Sequence, residues 1–159
     1  MKFKILIFIT LTSLLSGCVP LRQPVSPPPP LNSAEFSKFL VAGTASIQGQ
    51  VFMRTRSGSV IYGAGSTVLL IPLTDYTKQR LAVGFDANND LALSKYIRRA
   101  IADANGNFDF TELPEGEYVA ISSVVWQIPW GRTYSEQGGT VMAYAAAVPN
   151  KKSKVMLTQ

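Results

Sequence analysis

The stretch ADANGNFDFTELPEGEY, residues 102–118, decides the fold, because it places a β-strand between two turns. Asn105-Gly106 favours the positive φ values of a type I′ hairpin turn. Phe108 and Phe110 lie two residues apart, so a strand places both rings on one face. Pro114-Glu115-Gly116 predicts a second turn. The stretch therefore indicates an all-β fold in which glycine turns fix the register around an aromatic pair.

Short alternating or β-rich runs separated by turn residues continue from Ala45 to the C-terminus. They predict one all-β domain, residues 42–159, of about seven strands. The runs are 47–53, 59–62, 66–71, 97–102, 108–111, 117–125 and a closing pair at 139–148 and 154–157.

Four segments in this order resemble the carboxypeptidase regulatory-like domain, a transthyretin-like β-sandwich. They are IQGQV at 47–51, GAGSTVLL at 63–70, ADANGNFDF at 102–110 and LPEGEY at 113–118. The resemblance covers the chain from about residue 45 onward. It implies a single antiparallel β-sandwich that is a structural or docking unit without catalytic activity. The chain departs from the pattern at 74–96, which is longer than a simple connection between strands. This insertion is the best candidate for a specialised role.

The N-terminus reads as a lipoprotein signal peptide, residues 1–17. A short basic start is followed by the apolar run Ile5 to Leu15, which is too brief to cross a membrane as a helix. Leu15-Ser16-Gly17-Cys18 resembles the lipobox of bacterial lipoproteins, which implies cleavage before Cys18 and lipidation of its thiol. Val19 stands where an aspartate would mark inner-membrane retention, so the resemblance implies a palmitoylated protein anchored to the outer membrane and facing the periplasm.

Residues 18–41 are predicted to form the lipidated cysteine, a linker and a short helix. The segment 19–32 contains six prolines in fourteen residues, which favours an extended tether reaching up to ~40 Å. A proline motif that binds a partner domain is the alternative. Asn32 and Glu35 are spaced as in a capping box, and Phe36, Phe39 and Leu40 follow at helical spacing.

Composition excludes several functions. The chain has 159 residues, with 15 basic and 10 acidic ones, no histidine and one cysteine. Loss of the signal peptide would leave a net charge of about +3, which does not argue for nucleic acid. Histidine-based triads and cysteine zinc sites are impossible. No nucleophile or phosphate-loop motif is present. We therefore expect no enzyme, no cofactor and no metal, and a hydrolase with an acidic pair assembled only by the fold is a distant alternative.

One set of polar residues superficially matches a calcium loop, because Asp103, Asn105, Asn107 and Asp109 alternate along the chain. Phe108 occupies the sixth position, where an EF-hand requires glycine, and no glutamate falls at the twelfth. The sequence therefore favours a plain turn.

Four residues are candidates for ligand binding. Trp130 and Tyr134 follow a strand end and could stack on a sugar or a peptide. Tyr76 and Arg80 belong to the insertion, where a long loop on a rigid sandwich can carry recognition. Trp126 is expected to fill the core, with Pro129 breaking the strand after it.

Two functions remain open. The leading hypothesis is a non-catalytic outer-membrane lipoprotein whose sandwich is an interaction or structural module for an envelope protein partner. The alternative is a module that binds peptidoglycan or another glycan through exposed aromatics.

Overall fold

The computed structural model describes residues 30–84 and 90–159. The predicted signal peptide, Cys18 and most of the tether lie outside the described residues, as does part of the insertion. Within the described ranges, no helix is long and apolar enough to cross a membrane.

The described residues form eight strands, one for each of the eight β-rich runs although about seven strands were predicted, and two short α-helices. The elements are α1 (Ser33–Ser37), a 3-10 turn (Lys38–Leu40), β1 (Ala45–Arg54), β2 (Val60–Tyr62), β3 (Thr67–Pro72), α2 (Asp75–Ala82), a second 3-10 turn (Ser94–Tyr96), β4 (Arg98–Ile101), β5 (Asn107–Leu113), β6 (Gly116–Trp130), β7 (Thr133–Ala147) and β8 (Lys152–Leu157).

The strands form two four-stranded sheets, as expected for an all-β sandwich. In the first sheet, β1 pairs with β2, β5 and β8, and in the second the order is β4, β3, β6, β7. The pairing of β8 with β1 is parallel, so the expectation of a purely antiparallel sandwich is wrong at this strand. The turn before β8 brings the chain back along the edge of β1 in the same direction.

The turn around Gly106 is a crossover between the sheets, whereas the sequence predicted a hairpin within one sheet. It joins β4 of the second sheet to β5 of the first. Gly106 has φ of +77°, but Asn105 does not share the positive φ that a type I′ turn requires. The turn is instead hydrogen-bonded to β1, because Val51 donates its backbone N–H to the Gly106 carbonyl oxygen at 2.8 Å. A Cβ at Gly106 would collide with the Val51 carbonyl oxygen.

The core lies between the facing surfaces of the two sheets. Alternate residues of β1 point inward, and Ile47 and Val51 are completely buried. Gly49 lies between them because the Phe108 ring crosses its position, 2.6 Å from where a Cβ would stand. Phe108 and Phe110 share the inner face and contact each other edge to face, with centroids 5.8 Å apart. The sequence interpretation of this aromatic pair agrees with the structure.

The N-terminal helix packs on the insertion. Asn32 caps α1 by accepting from the Ala34 N–H at 3.1 Å, as predicted. Glu35 does not close the capping box on its own helix, since its Oε1 accepts from the Asp75 N–H at 3.3 Å, where α2 begins. Phe36 is fully buried and stacks 4.8 Å from the ring of Tyr96. Leu40 is exposed because the chain tightens into a 3-10 turn.

The longest feature is the hairpin of β6 and β7, joined by Gly131-Arg132. Gly131 has φ of +62°, as the first position of a type II′ turn requires. Pro129 does not break the strand, contrary to the prediction, but pairs with Tyr134. Pairing of β3 with β6 ends at Ile121, so within the described part of the chain the residues of β6 beyond it have an open edge. Pro129 lies along this open edge, where no backbone donor is needed.

Candidate functional site

A groove of about 660 Å³ lies on the outer face of the first sheet. It crosses the middle of three adjacent strands, with β1 at the centre, β5 on one side and β8 on the other. Seven of its twelve lining residues are polar or charged, namely Gln48, Gln50, Asp103, Asn107, Asp109, Lys152 and Lys154, and Gly49, Ile101, Phe108, Val155 and Met156 complete the lining.

Strand alternation explains this composition. Ile47 and Val51 point into the core, so Gln48 and Gln50 must point outward. The same period of two on β8 buries Leu157 and leaves Lys154 exposed. The groove is therefore a direct consequence of three polar outer faces placed side by side.

One row of side chains crosses the groove at a single register. Gln48 is paired with Asp109 on β5 and with Lys154 on β8. Neighbouring strands lie about 4.8 Å apart, so the backbones of Asp109 and Lys154 are about 10 Å apart across the row. None of these three side chains forms a hydrogen bond or an ion pair with another described residue. The row thus presents three groups to solvent: a carboxylate that accepts hydrogen bonds, an amide that donates and accepts them, and an ammonium group that donates them.

A second row lies beside the first and is more constrained. Gln50 is paired with Asn107 and with Met156. The Gln50 Nε2 donates to the Asn105 carbonyl oxygen at 2.8 Å, which holds the amide against the crossover turn. Met156 is 57% exposed and adds an apolar surface at the other side of the groove.

Asp103 lines one end of the groove but serves the turn. Its Oδ1 accepts from the backbone N–H groups of Asn105 and Asn107, both at 2.8 Å, and its Oδ2 accepts from the Asn107 side-chain amide at 2.9 Å. The Asn107 side-chain bond is the main cause that lowers the pKa of the Asp103 carboxyl, followed by the Asn107 backbone bond. This carboxylate is therefore ionised and satisfied locally. Among residues 30–84 and 90–159, no group of three or more aspartate, glutamate, histidine or cysteine side chains is arranged to hold a metal ion.

Sequence analysis did not predict that the groove residues form one site. Asp103, Asn107 and Asp109 were assigned to a turn, and Gln48 and Lys154 were assigned to two separate strands. The alternation of polar residues on β1, β5 and β8 was the available signal. The parallel pairing of β1 with β8 was needed to bring them together, and no local pattern predicts it.

The predicted aromatic site is split between two faces. Trp130 and Tyr134 are 72% and 71% exposed near the tip of the β6–β7 hairpin. Trp130 is paired with Thr133, and Tyr134 with Pro129, so the two rings project to opposite sides of the ribbon. Trp126 is half-buried and packs against the core, on the same side of the ribbon as Trp130. The two exposed rings do not form one stacking platform.

Tyr76 and Arg80 face Asp90 within the insertion. The Tyr76 hydroxyl donates to the Asp90 Oδ2 at 3.1 Å, and the Arg80 Nε lies 3.3 Å from the same oxygen. Burial, followed by the hydrogen bond to Asp90, raises the pKa of Tyr76. Asp90 also caps the following turn by accepting from the Leu93 N–H at 3.2 Å. These contacts tie the insertion together.

The four predicted ligand residues are not brought to one place. The insertion begins after Pro72, which is paired with Tyr118 near the start of β6. Trp130 lies twelve residues further along the same strand, or about 40 Å at 3.3 Å per residue. Tyr76 and Arg80 therefore lie near one end of the second sheet, and the aromatic tip lies at the other.

A second groove, of about 650 Å³, borders the open edge of β6. The Ser122 hydroxyl bridges one wall to the other, since it donates to the Thr67 carbonyl oxygen at 3.0 Å. Tyr62, at 47% exposure, and Val125, at 55%, provide apolar surface along it.

Comparison with known proteins supports the fold of the chain but does not assign the chain to a family. No protein-family model matches the chain. No curated protein matches it either. Among solved structures, the chain is similar to a Pseudomonas aeruginosa protein described as a "putative carbohydrate binding protein", with a TM-score of 0.70 and 27% identity over 82% of this chain and 99% of the other. The chain thus shares the β-rich fold of that protein along nearly all of the other protein's length.

Proposed function

We propose that this protein is a non-catalytic glycan-binding module, and that the groove on β1, β5 and β8 is its binding site. The observation that carries the proposal is the row of Asp109, Gln48 and Lys154, whose polar atoms have no partner among the described residues. Sugar hydroxyls both donate and accept hydrogen bonds, so they suit a carboxylate, an amide and an ammonium held in a row.

The structural neighbour supports the same ligand class. It is described as a putative carbohydrate binding protein, and it matches 82% of this chain. The groove of about 660 Å³ is open and combines charged and amide side chains with apolar surface, which suits the hydroxyls and the apolar ring faces of a hydrated oligosaccharide.

We further propose that the module is a lipoprotein of the outer membrane. The support is Leu15-Ser16-Gly17-Cys18, which resembles a lipobox, followed by the proline-rich segment 19–32. Such a tether would hold the module up to ~40 Å from the lipid. A tethered sandwich of the carboxypeptidase regulatory-like type could then sample glycan in the envelope.

The proposal is tested by screening the full chain, purified in detergent, on a glycan array. Calorimetry then measures its affinity for the glycan that binds most tightly. Gln48→Ala and Asp109→Ala remove hydrogen-bonding groups from the groove and should each weaken binding about tenfold without changing the melting temperature. Trp130→Ala is the matched control, since its exposed ring lies on the distant ribbon. Binding that depends on Trp130 and tolerates both groove substitutions would refute this site.

An envelope protein partner remains a second candidate, favoured by the ribbon. Backbone groups of β6 beyond Ile121 have no strand partner on one edge among residues 30–84 and 90–159, and the second groove follows that edge. An extended peptide could add there as a further strand. Replacing Gln127 by proline on this edge should abolish capture of such a partner, while glycan affinity stays unchanged.

A further inference from the structure

The charges of the groove are separated to its two sides. Lys152 and Lys154 lie on β8, two residues apart on one exposed face, so their backbones are about 7 Å apart. Asp109 lies on β5, across the central strand β1. The cationic and anionic sides of the groove are thus about 10 Å apart at the backbone.

These charges are not neutralised within the described part of the chain. The ion pairs there join Lys78 to Asp75 and Arg80 to Asp90, and neither pair touches the groove. Asp103 is the other carboxylate at the groove, and its oxygens already accept from Asn105 and Asn107. The two lysine ammonium groups therefore remain available to a ligand.

A ligand that crosses the row meets different chemistry at each end. Near Asp109 it must donate hydrogen bonds, as sugar hydroxyls do. Near Lys152 and Lys154 a carboxylate gains charge-assisted hydrogen bonds that a neutral hydroxyl cannot match. The reverse orientation would set a carboxylate against Asp109 and is disfavoured by repulsion.

We propose that the groove selects acidic saccharides, with a uronate carboxylate on the β8 side and hydroxyls on the β5 side. This inference rests on the proposed glycan-binding function and adds the class of glycan and its direction across the strands. Because both lysines are exposed, the preference is moderate and weakens as salt screens the charges.

The test uses one saccharide in two charge states. Oligogalacturonate and its methyl ester have the same sugar backbone, and esterification removes the negative charge. The full chain in detergent should bind the acid form about tenfold more tightly than the ester at low salt. The double variant Lys152→Gln/Lys154→Gln should lose this preference and bind the acid form and the ester with equal affinity.

Arg56→Gln provides the matched control, because it removes one positive charge from an exposed loop away from the groove. It should keep the preference of the wild type. Equal affinity for acid and ester, or a preference that survives the double variant, overturns the inference while glycan binding itself stands. Absence of binding to these probes and to every glycan on the array refutes the proposed function, and the inference falls with it.

Discussion

Tyr118 offers a quantitative test of how the sandwich is closed at the start of β6. Its ring is 2% exposed, and its hydroxyl donates to the Pro114 carbonyl oxygen at 3.0 Å. Removing the hydroxyl in Tyr118→Phe leaves that buried carbonyl without this donor. Loss of such a bond is expected to lower the free energy of unfolding by about 1 to 2 kcal/mol near pH 8.

The difference should depend on pH. Burial raises the pKa of Tyr118 to about 12, and the nearby Arg98 offsets this only in part. A raised pKa means that the neutral hydroxyl stabilises the fold below the unfolded pKa of about 10, and that this contribution is lost as the pH rises towards 12. At pH 11 the wild type should have lost about 1.4 kcal/mol of this contribution, which removes most of its advantage over the phenylalanine variant.

Urea denaturation measures this difference when both proteins are unfolded at pH 8 and at pH 11. Unfolding is monitored by circular dichroism at a wavelength where tyrosine ionisation does not contribute. Tyr144→Phe is the control, because Tyr144 is 63% exposed and its substitution should change little at either pH. A gap between wild type and Tyr118→Phe that is the same at both pH values would refute the buried, hydrogen-bonded hydroxyl.

Four further predictions concern the turn, the ribbon and the anchor. Gly106→Val forces a β-branched residue to adopt φ of +77° against the Val51 carbonyl. It should lower the free energy of unfolding, measured by urea denaturation, by about 3 kcal/mol. Trp126→Ala removes a half-buried ring and should cost about 2 kcal/mol, whereas Trp130→Ala should leave the melting temperature unchanged. Asp103→Ala should lower the free energy of unfolding at pH 7. The difference from the wild type should shrink as the pH falls below about 4, because the bonds that lower the pKa of Asp103 stabilise the fold only while its carboxylate is ionised. Cys18→Ser should abolish palmitate labelling and release the protein from membranes, and continued fractionation with the outer membrane would contradict the lipid anchor.

Local chemistry predicted much of the fold. The cap at Asn32 and the inward pair Phe108 and Phe110 follow from side chains within a few residues of one another. The need for glycine at 106 was also readable, since its positive φ is a local property. These features rest on turn and strand preferences that act over short distances.

Tertiary contacts decided the rest. A turn motif does not reveal whether its strands stay in one sheet, so the crossover at Gly106 looked like a hairpin. Pro129 normally ends a strand, but the open edge of β6 removes the need for its missing donor. Tyr76 and Arg80 were predicted to bind a ligand, but they contact Asp90, which lies ten or more residues further along the chain. The row of Gln48 and its neighbours depends on a parallel pairing between the first and last strands.

A titration of the ¹⁵N-labelled full chain with the best glycan from the array tests the central claim most directly. The side-chain amide signals of Gln48 and the indole signal of Trp130 appear in the same spectrum and report on the two competing surfaces. If the groove on β1, β5 and β8 binds glycan, the Gln48 amide signals shift with saturation while the Trp130 indole signal stays in place. A shift of the Trp130 indole signal with unchanged Gln48 amides would contradict the account.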